Sequence, residues 1–297
     1  MTPDEFACRV GKEMTSPISY ERLASELARE GYFADETLLT ALYLALDLSK
    51  PLLLEGAPGV GKTQVAKSLA RVLERECIRL QCYEGIDASK ALYDWDHARQ
   101  LLHVRVTERG GPIETKDLFA PDFMIEMPLM KVLRNPETTV LLIDEIDRAD
   151  DAFEALLLEF LSDYQISVPE IGTITAAKPV ISILTSNRTR ELHDALRRRC
   201  LYHWIDYPDQ LRERAIVERH APGVTSEAAE RLVAAIAGIR RLPLIKKPST
   251  AESIDWAQAA LALTHQGNDW PDALKRSVGL VIKDPEDMMA VQATGVV

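Results

Sequence analysis

The 297-residue sequence contains no apolar run approaching the roughly 18 residues that a membrane-crossing helix needs, so no integral membrane segment is expected. Cysteine is scarce: Cys8, Cys77, Cys82 and Cys200 form no CxxC pair and show no histidine-containing metal spacing. That pattern reads as reduced thiols, with Cys77 and Cys82 in an apolar, strand-like stretch. A basic excess is also missing. With 46 acidic against 35 basic residues the net charge is −11, which argues against a protein built to hold phosphate backbones, and no nucleic-acid partner is expected. The opening, Met1 to Val10, carries Asp4, Glu5 and Arg9 and does not read as a signal peptide, so a cytoplasmic location is expected. Repeats and low-complexity stretches are absent. What remains is an ordinary globular composition, 46% hydrophobic and 27% charged, sufficient for one large domain or a core with a satellite.

Organisation follows from periodicity. Tyr20 to Leu48 reads as two helices, the second capped by Asp35 and ended by Lys50-Pro51. Short apolar runs then recur as strands: Leu52 to Leu54, Cys77 to Cys82, Thr139 to Ile143, Pro179 to Leu184 and Leu201 to Ile205. Alternating with amphipathic helices, they predict an α/β fold, a parallel sheet covered on both faces. Gln165 to Val168 and Thr173 to Thr175 flank Gly172 and read as a hairpin. Beyond Pro208 only helical patterns follow, over Asp209 to Arg219, Ser226 to Ile239 and Thr250 to Leu263. The expected division is N-terminal helices over 1–49, an α/β core over 50–207, a smaller all-α lid over 208–283, and a loosely ordered tail over 284–297.

Three motifs carry chemistry. Gly56-Ala57-Pro58-Gly59-Val60-Gly61-Lys62-Thr63 fits G-x-x-x-x-G-K-[ST] in full, between a strand and a helix. Glycines let the backbone curl its N–H groups around phosphate oxygens at a helix N-terminus; Lys62 reaches the β- and γ-phosphates, and Thr63 offers a ligand to Mg²⁺. Val140-Leu141-Leu142-Ile143 ends in Asp144-Glu145 at the carboxyl edge of the sheet, where Asp144 would hold Mg²⁺ and Glu145 would polarise the attacking water. Asp147 reads as no more than an N-terminal helix charge. Ile181 to Asn187 ends another strand in a polar residue, so Asn187 is either an orienter of the lytic water or an asparagine turn before a helix at Glu191.

With these motifs in this order, and Asp194-Ala195-Leu196-Arg197-Arg198-Arg199-Cys200 after them, the chain resembles the AAA+ P-loop ATPases over roughly Leu52 to Tyr207. The resemblance makes Asn187 the sensor 1 residue. It also makes one arginine of the block, Arg199 before Arg198, a finger reaching a neighbour's ATP. Thr185-Ser186-Asn187, the Glu191 to Arg199 block and the hairpin are similar to the MoxR branch. Leu80 to Gly85 and Tyr93-Asp94-Trp95 are similar to its CoxD-like group, accessory ATPases of molybdenum-containing carbon monoxide dehydrogenases and related hydroxylases. The resemblance implies ATP and Mg²⁺ as cofactors and a homo-oligomeric ring, usually a hexamer. As partners it implies a von Willebrand factor A domain protein and a client metalloenzyme. One position departs from it: where a lid arginine is expected the sequence has Ala251, with Lys246, Lys247, Arg240 and Arg241 as candidate substitutes.

Other readings compete. A P-loop phosphotransferase acting on a small molecule needs neither the sensor strand nor the hairpin. A nucleotide-gated scaffold has no use for the Asp144-Glu145 pair. A GTPase is disfavoured because Thr115-Lys116-Asp117-Leu118 misses the guanine-reading motif by one position. Tyr93, Trp95 and Phe119, within the insertion from Gly85 to Phe123, read either as core or as lining of a ring pore.

Overall fold

A computed structural model describes residues 16–107, 118–169 and 171–295; Cys8 and the Thr115–Asp117 stretch lie outside them. The chain enters through helices α1 (Tyr20–Arg29) and α2 (Glu36–Asp47). Asp35 caps α2 as expected, its carboxylate accepting from the Leu38 N–H at 2.8 Å. Strand β1 (Leu52–Gly56), helix α3 (Lys62–Val72) and strand β2 (Glu76–Gln81) follow. A small subassembly comes next: α4 (Ala88–Ala91), β3 (Tyr93–Trp95), α5 (His97–Thr107), β4 (Met124–Glu126) and α6 (Pro128–Arg134). The core resumes with β5 (Thr139–Asp144), α7 (Asp151–Asp163), the hairpin β6 (Gln165–Val168) and β7 (Gly172–Thr175), β8 (Ile181–Ser186), α8 (Asp194–Arg197) and β9 (Leu201–Ile205).

Five strands form one all-parallel sheet in the order β2-β5-β8-β1-β9. The central strands β5, β8 and β1 are almost wholly buried because both faces are covered, whereas the edge strands β2 and β9 alternate buried and more exposed residues. Leu53, Leu141, Ile143 and Leu184 pack with α6 and α7 residues such as Leu129 and Phe160, while Leu52, Leu54, Leu142 and Ile183 pack with Leu38 and Leu42 of α2. Register decides where the chemistry sits. Gln81 lies beside Asp144, and Gly56 beside Ile205, so the carboxyl ends of all five strands share one edge.

In the subassembly, β3 pairs antiparallel with β4. Trp95 stacks edge-on against Phe119 with ring centroids 5.2 Å apart, and Tyr93 against Trp95 at 5.9 Å. These aromatics are half-buried in one another and form the insertion's own small core.

After Tyr207-Pro208 come α9 (Gln210–His220), α10 (Ser226–Arg241), α11 (Thr250–Thr264), α12 (Trp270–Ser277) and α13 (Pro285–Thr294). They surround a separate apolar cluster in which Trp256 is fully buried beside Leu232, Ile236 and Val281. The segment expected as a loosely ordered tail from Asp284 is α13. Asp284 caps it, Val291 buries into the helical core, and the Asp287 carboxylate accepts the N–H groups of Ile245 and Lys246 at 2.8 and 3.0 Å. A polar anchor to a loop and the burial of Val291 together dock this helix. Among the described residues no helix is long and apolar enough to cross a membrane.

Candidate active site

The carboxyl edge of the sheet brings together Gly56 to Thr63, Asp144, Glu145 and Asn187. A cavity of about 300 Å³ is lined there by Lys62, Thr63, Asp144, Glu145, Thr185 and Asn187, among others. Two glycines of the loop are there for stated reasons. At Gly59 φ is +75°, and a Cβ would come within 2.4 Å of the Ser249 Cβ; at Gly56 a Cβ would meet the Ile205 carbonyl oxygen at 2.2 Å. Gly61, at φ +99°, immediately precedes α3, so the helix opens with its N–H groups at the loop.

Lys62 is buried and donates to the carbonyl oxygens of Gly56 at 2.7 Å and Ala57 at 2.8 Å. Burial pulls its pKa down to about 8, against the opposing pull of Asp147, Asp144 and Glu145. Asp144 is buried at the end of β5. Its Oδ1 accepts from the Thr63 hydroxyl at 2.9 Å and from the Thr185 hydroxyl at 2.5 Å. Its Oδ2 accepts from Arg79 at 2.9 and 2.5 Å. Thr63 Oγ1 and Asp144 Oδ1 are thus a pair of hard oxygen donors on one side of the cavity, the donor chemistry that suits Mg²⁺.

Glu145 adopts a left-handed backbone at φ +55°, which turns its carboxylate out of the strand line. Its N–H donates to the Thr185 hydroxyl at 3.0 Å. Its Oε2 accepts from Gln81 and Arg148, each at 3.0 Å. Asn187 lines the cavity, and the helix expected at Glu191 begins instead at Asp194. Asp147, read from the sequence as an N-terminal helix charge, is buried and takes the N–H groups of Asn187 and Thr189 at 3.2 and 2.9 Å, and the Thr189 hydroxyl at 2.6 Å. Burial alone would raise its carboxyl pKa; those hydrogen bonds outweigh it and hold the carboxyl below its usual range. Asp147 therefore fixes the loop that carries Asn187.

Sequence reasoning missed Arg79, Gln81 and Asp147, whose partners lie some 40 to 65 positions away. It also missed a second, mainly apolar cavity of about 280 Å³ beside the loop, lined by Tyr32, Phe33, Val60, Pro208, Arg212 and Ile216, among others. Its only trace in the sequence is the i, i+4 spacing of Pro208, Arg212 and Ile216.

The arginine block stands apart. Arg199 donates to the Ser162 hydroxyl at 2.6 Å and the Ala195 carbonyl at 3.1 Å. Arg198 lies 3.7 Å from Asp194, and both Arg198 and Arg199 are exposed. They precede Leu201, which pairs with Leu52 at the amino end of β1, whereas the phosphate loop leaves Gly56 beside Ile205. Four strand residues, at about 3.3 Å each, separate those levels by roughly 13 Å. Ala251 does sit at the phosphate loop, its N–H 3.4 Å from the Gly59 carbonyl oxygen. Arg240 is committed elsewhere, bonded to Glu213 at 2.6 and 2.8 Å and lying 4.4 Å from the centre of the Tyr207 ring.

Comparison with known proteins matches this architecture. An uncharacterized protein of Staphylococcus saprophyticus is 26% identical over 183 residues, 59% of this chain and 62% of that protein. A Staphylococcus aureus protein, also uncharacterized, is 26% identical over 184 residues, 59% of this chain and 63% of that protein. The chain thus spans less than two thirds of the length of these relatives. The Thermotoga maritima RuvB Holliday junction branch migration motor is 20% identical with a TM-score of 0.52, over 86% of this chain and 72% of that one. A mutant of the same RuvB covers 89% of this chain and 70% of its own, at the same identity and TM-score. These structures share the fold. The AAA domain, dynein-related subfamily, matches residues 51–200, just over half of the 297. The chain belongs to that family of AAA domains.

Proposed function

We propose that this chain works as a ring, usually a hexamer, of AAA+ subunits of the MoxR branch, CoxD-like group, and that ATP hydrolysis at its subunit interfaces remodels a client metalloenzyme. The observation that carries the assembly is the position of Arg198 and Arg199. Both are exposed at the amino edge of the sheet, away from their own phosphate loop. A finger there serves a second copy's site, not its own.

Gly56 to Thr63 hold the phosphates by backbone N–H groups, with Lys62 moving from the Gly56 and Ala57 carbonyls to phosphate oxygens. Thr63 and Asp144 are the residues that would hold Mg²⁺, which would supply positive charge against the phosphates. Glu145 takes the proton of the attacking water once released from Gln81 and Arg148, and Asn187 orients that water. The apolar cavity by Tyr32 and Phe33 receives the adenine ring. Residues 50–207 act as the core, and the helices from 208 through α13 as a lid that responds to nucleotide. The molybdenum hydroxylase or carbon monoxide dehydrogenase client and the von Willebrand factor A partner rest on the sequence motifs named above. The net charge of −11 speaks against a nucleic-acid substrate.

Capture with Glu145→Gln in the presence of ATP tests this. The variant is expected to bind ATP, turn over at least ~100-fold more slowly, and accumulate assembled complexes. Co-purification of a von Willebrand factor A protein with a molybdenum hydroxylase supports the reading, and recovery of a nucleic-acid machine sinks it. Phosphate appearing on a metabolite instead of in solution identifies a phosphotransferase.

A further inference from the structure

The apolar cavity beside the phosphate loop holds two polar atoms that its walls leave unmet. Arg212, on α9, and Thr250, at the start of α11, both line it. Arg212 Nε and Thr250 Oγ1 are buried and, among the described residues, have no hydrogen-bond partner. A buried donor without an acceptor is costly, so an unmet pair in one cavity marks a place where a polar ligand edge belongs.

Arg212 cannot swing away to find a partner. Its backbone N–H donates to Asp209 Oδ1 at 2.8 Å, in the cap of α9. Its Nη1 donates to Asp35 Oδ2, also at 2.8 Å, while Asp35 Oδ1 caps α2. The guanidinium is thus tied across the lid boundary to an N-terminal helix, with Nε left over in a side chain that is only 17% exposed.

The other polar groups lining the cavity are committed or adaptable. Gln64 Nε2 donates to the Ser68 hydroxyl at 3.2 Å, and His220 Nε2 lies 3.3 Å from the Gly31 carbonyl oxygen. Tyr32 and Thr250 carry hydroxyls, which donate or accept according to what they meet. A guanidinium only donates. Adenine offers acceptors at its ring nitrogens, whereas its exocyclic amine is a donor. The Nε–H therefore has a match on the ring and none on the amine.

We infer that Arg212 reads the base, its Nε–H donating to a ring nitrogen of the adenine seated in this cavity. This rests on the ATP-site reading above and adds to it one side chain that recognises the base.

Three ATP analogues, with N1, N3 or N7 replaced by CH, test the assignment by equilibrium binding to wild type and Arg212→Lys. Lysine puts a methylene where arginine has Nε and keeps a positive charge for Asp35. Wild type is expected to bind one of the three analogues about tenfold more weakly than ATP. In Arg212→Lys, ATP itself weakens, and that analogue and ATP bind within about twofold of each other. A purely structural role for Arg212 would weaken ATP and the analogue together and leave the tenfold gap in place. A gap that persists in Arg212→Lys therefore overturns the assignment. So does wild type that binds all three analogues as tightly as ATP, a result that needs no variant to fold. Either outcome leaves the ATP site standing and removes only Arg212. Wild-type protein that binds neither ATP nor any analogue overturns both readings.

Discussion

The hydroxyl of Thr63, at the start of α3, lies 2.9 Å from Oδ1 of Asp144, at the end of β5, although 81 positions separate them. Arg79 occupies the opposite oxygen of that carboxylate. The pair is therefore held in place before any ion arrives, with Oδ1 facing the two threonine hydroxyls rather than the arginine. Asp144→Asn keeps the shape and removes the charge. We expect ATP affinity that no longer improves with added Mg²⁺, where wild type gains at least about tenfold, in a magnesium titration of nucleotide binding. Chelating the ion with EDTA is expected to stop turnover in wild type. An undiminished magnesium response in Asp144→Asn would place the ion elsewhere.

Lys62 sets a pH dependence. Its pKa stands at about 8, lowered by burial, against an ordinary 10.5. Phosphate binding needs the ammonium, so ATP affinity is expected to hold below pH 8 and to fall up to about tenfold per unit above it. For folding the sign is opposite. Between about 8 and 10.5 the unfolded chain binds more protons than the folded one, so the ligand-free protein gains stability as pH rises through that window. Lys62→Met should flatten both curves. Binding and denaturation series from pH 7 to 10 provide the check.

How much of this was legible in the sequence depends on the range over which each part is determined. Leu52 to Leu54 and Thr139 to Ile143 declare themselves because a strand buried on both faces has no polar alternation. The phosphate loop is equally plain, since its glycine spacing is local. Arg79 and Gln81 are not: nothing near them announces a carboxylate 64 or 65 positions on, and only the β2–β5 register delivers it. Asp147 looks like any helix charge until the 187–189 loop folds over it. Helix α13 hides for a different reason. Its burial centres on Asp287 and Val291, a pattern too short and too polar to show as amphipathic periodicity.

The lid is held by a buried charge pair. Glu213, with 1% of its side chain exposed, receives two bonds from Arg240 and one from the Ser253 hydroxyl at 2.8 Å. Removing Arg240 strands an unpaired carboxylate, which typically costs about 3–5 kcal/mol. Arg240→Met is expected to lower stability by that order in urea denaturation. The double variant Arg240→Met with Glu213→Leu should recover much of the loss, because no charge is left buried. A double variant as unstable as the single one would show that the pair matters for more than charge.

The position of Arg199 leads to a mixing experiment. If it completes the neighbour's site, Arg199→Ala subunits keep their own phosphate loop yet lose turnover by about 10³-fold, the lower bound for an arginine finger. Lys62→Ala subunits lose their own site but still present Arg199. Each variant alone should be inactive. Mixed before assembly, they create interfaces in which an intact phosphate loop faces an intact arginine, and hydrolysis returns. Single-variant activity of Arg199→Ala equal to wild type, with Arg198→Ala also silent, would remove the shared site. Arg199 is exposed and, among the described residues, its hydrogen bonds go to Ser162 and Ala195, while β9 is held by its own pairing with β1, so Arg199→Ala is expected to fold. Recovery on mixing therefore reads out geometry between subunits, since no rearrangement within one chain closes the roughly 13 Å between strand ends.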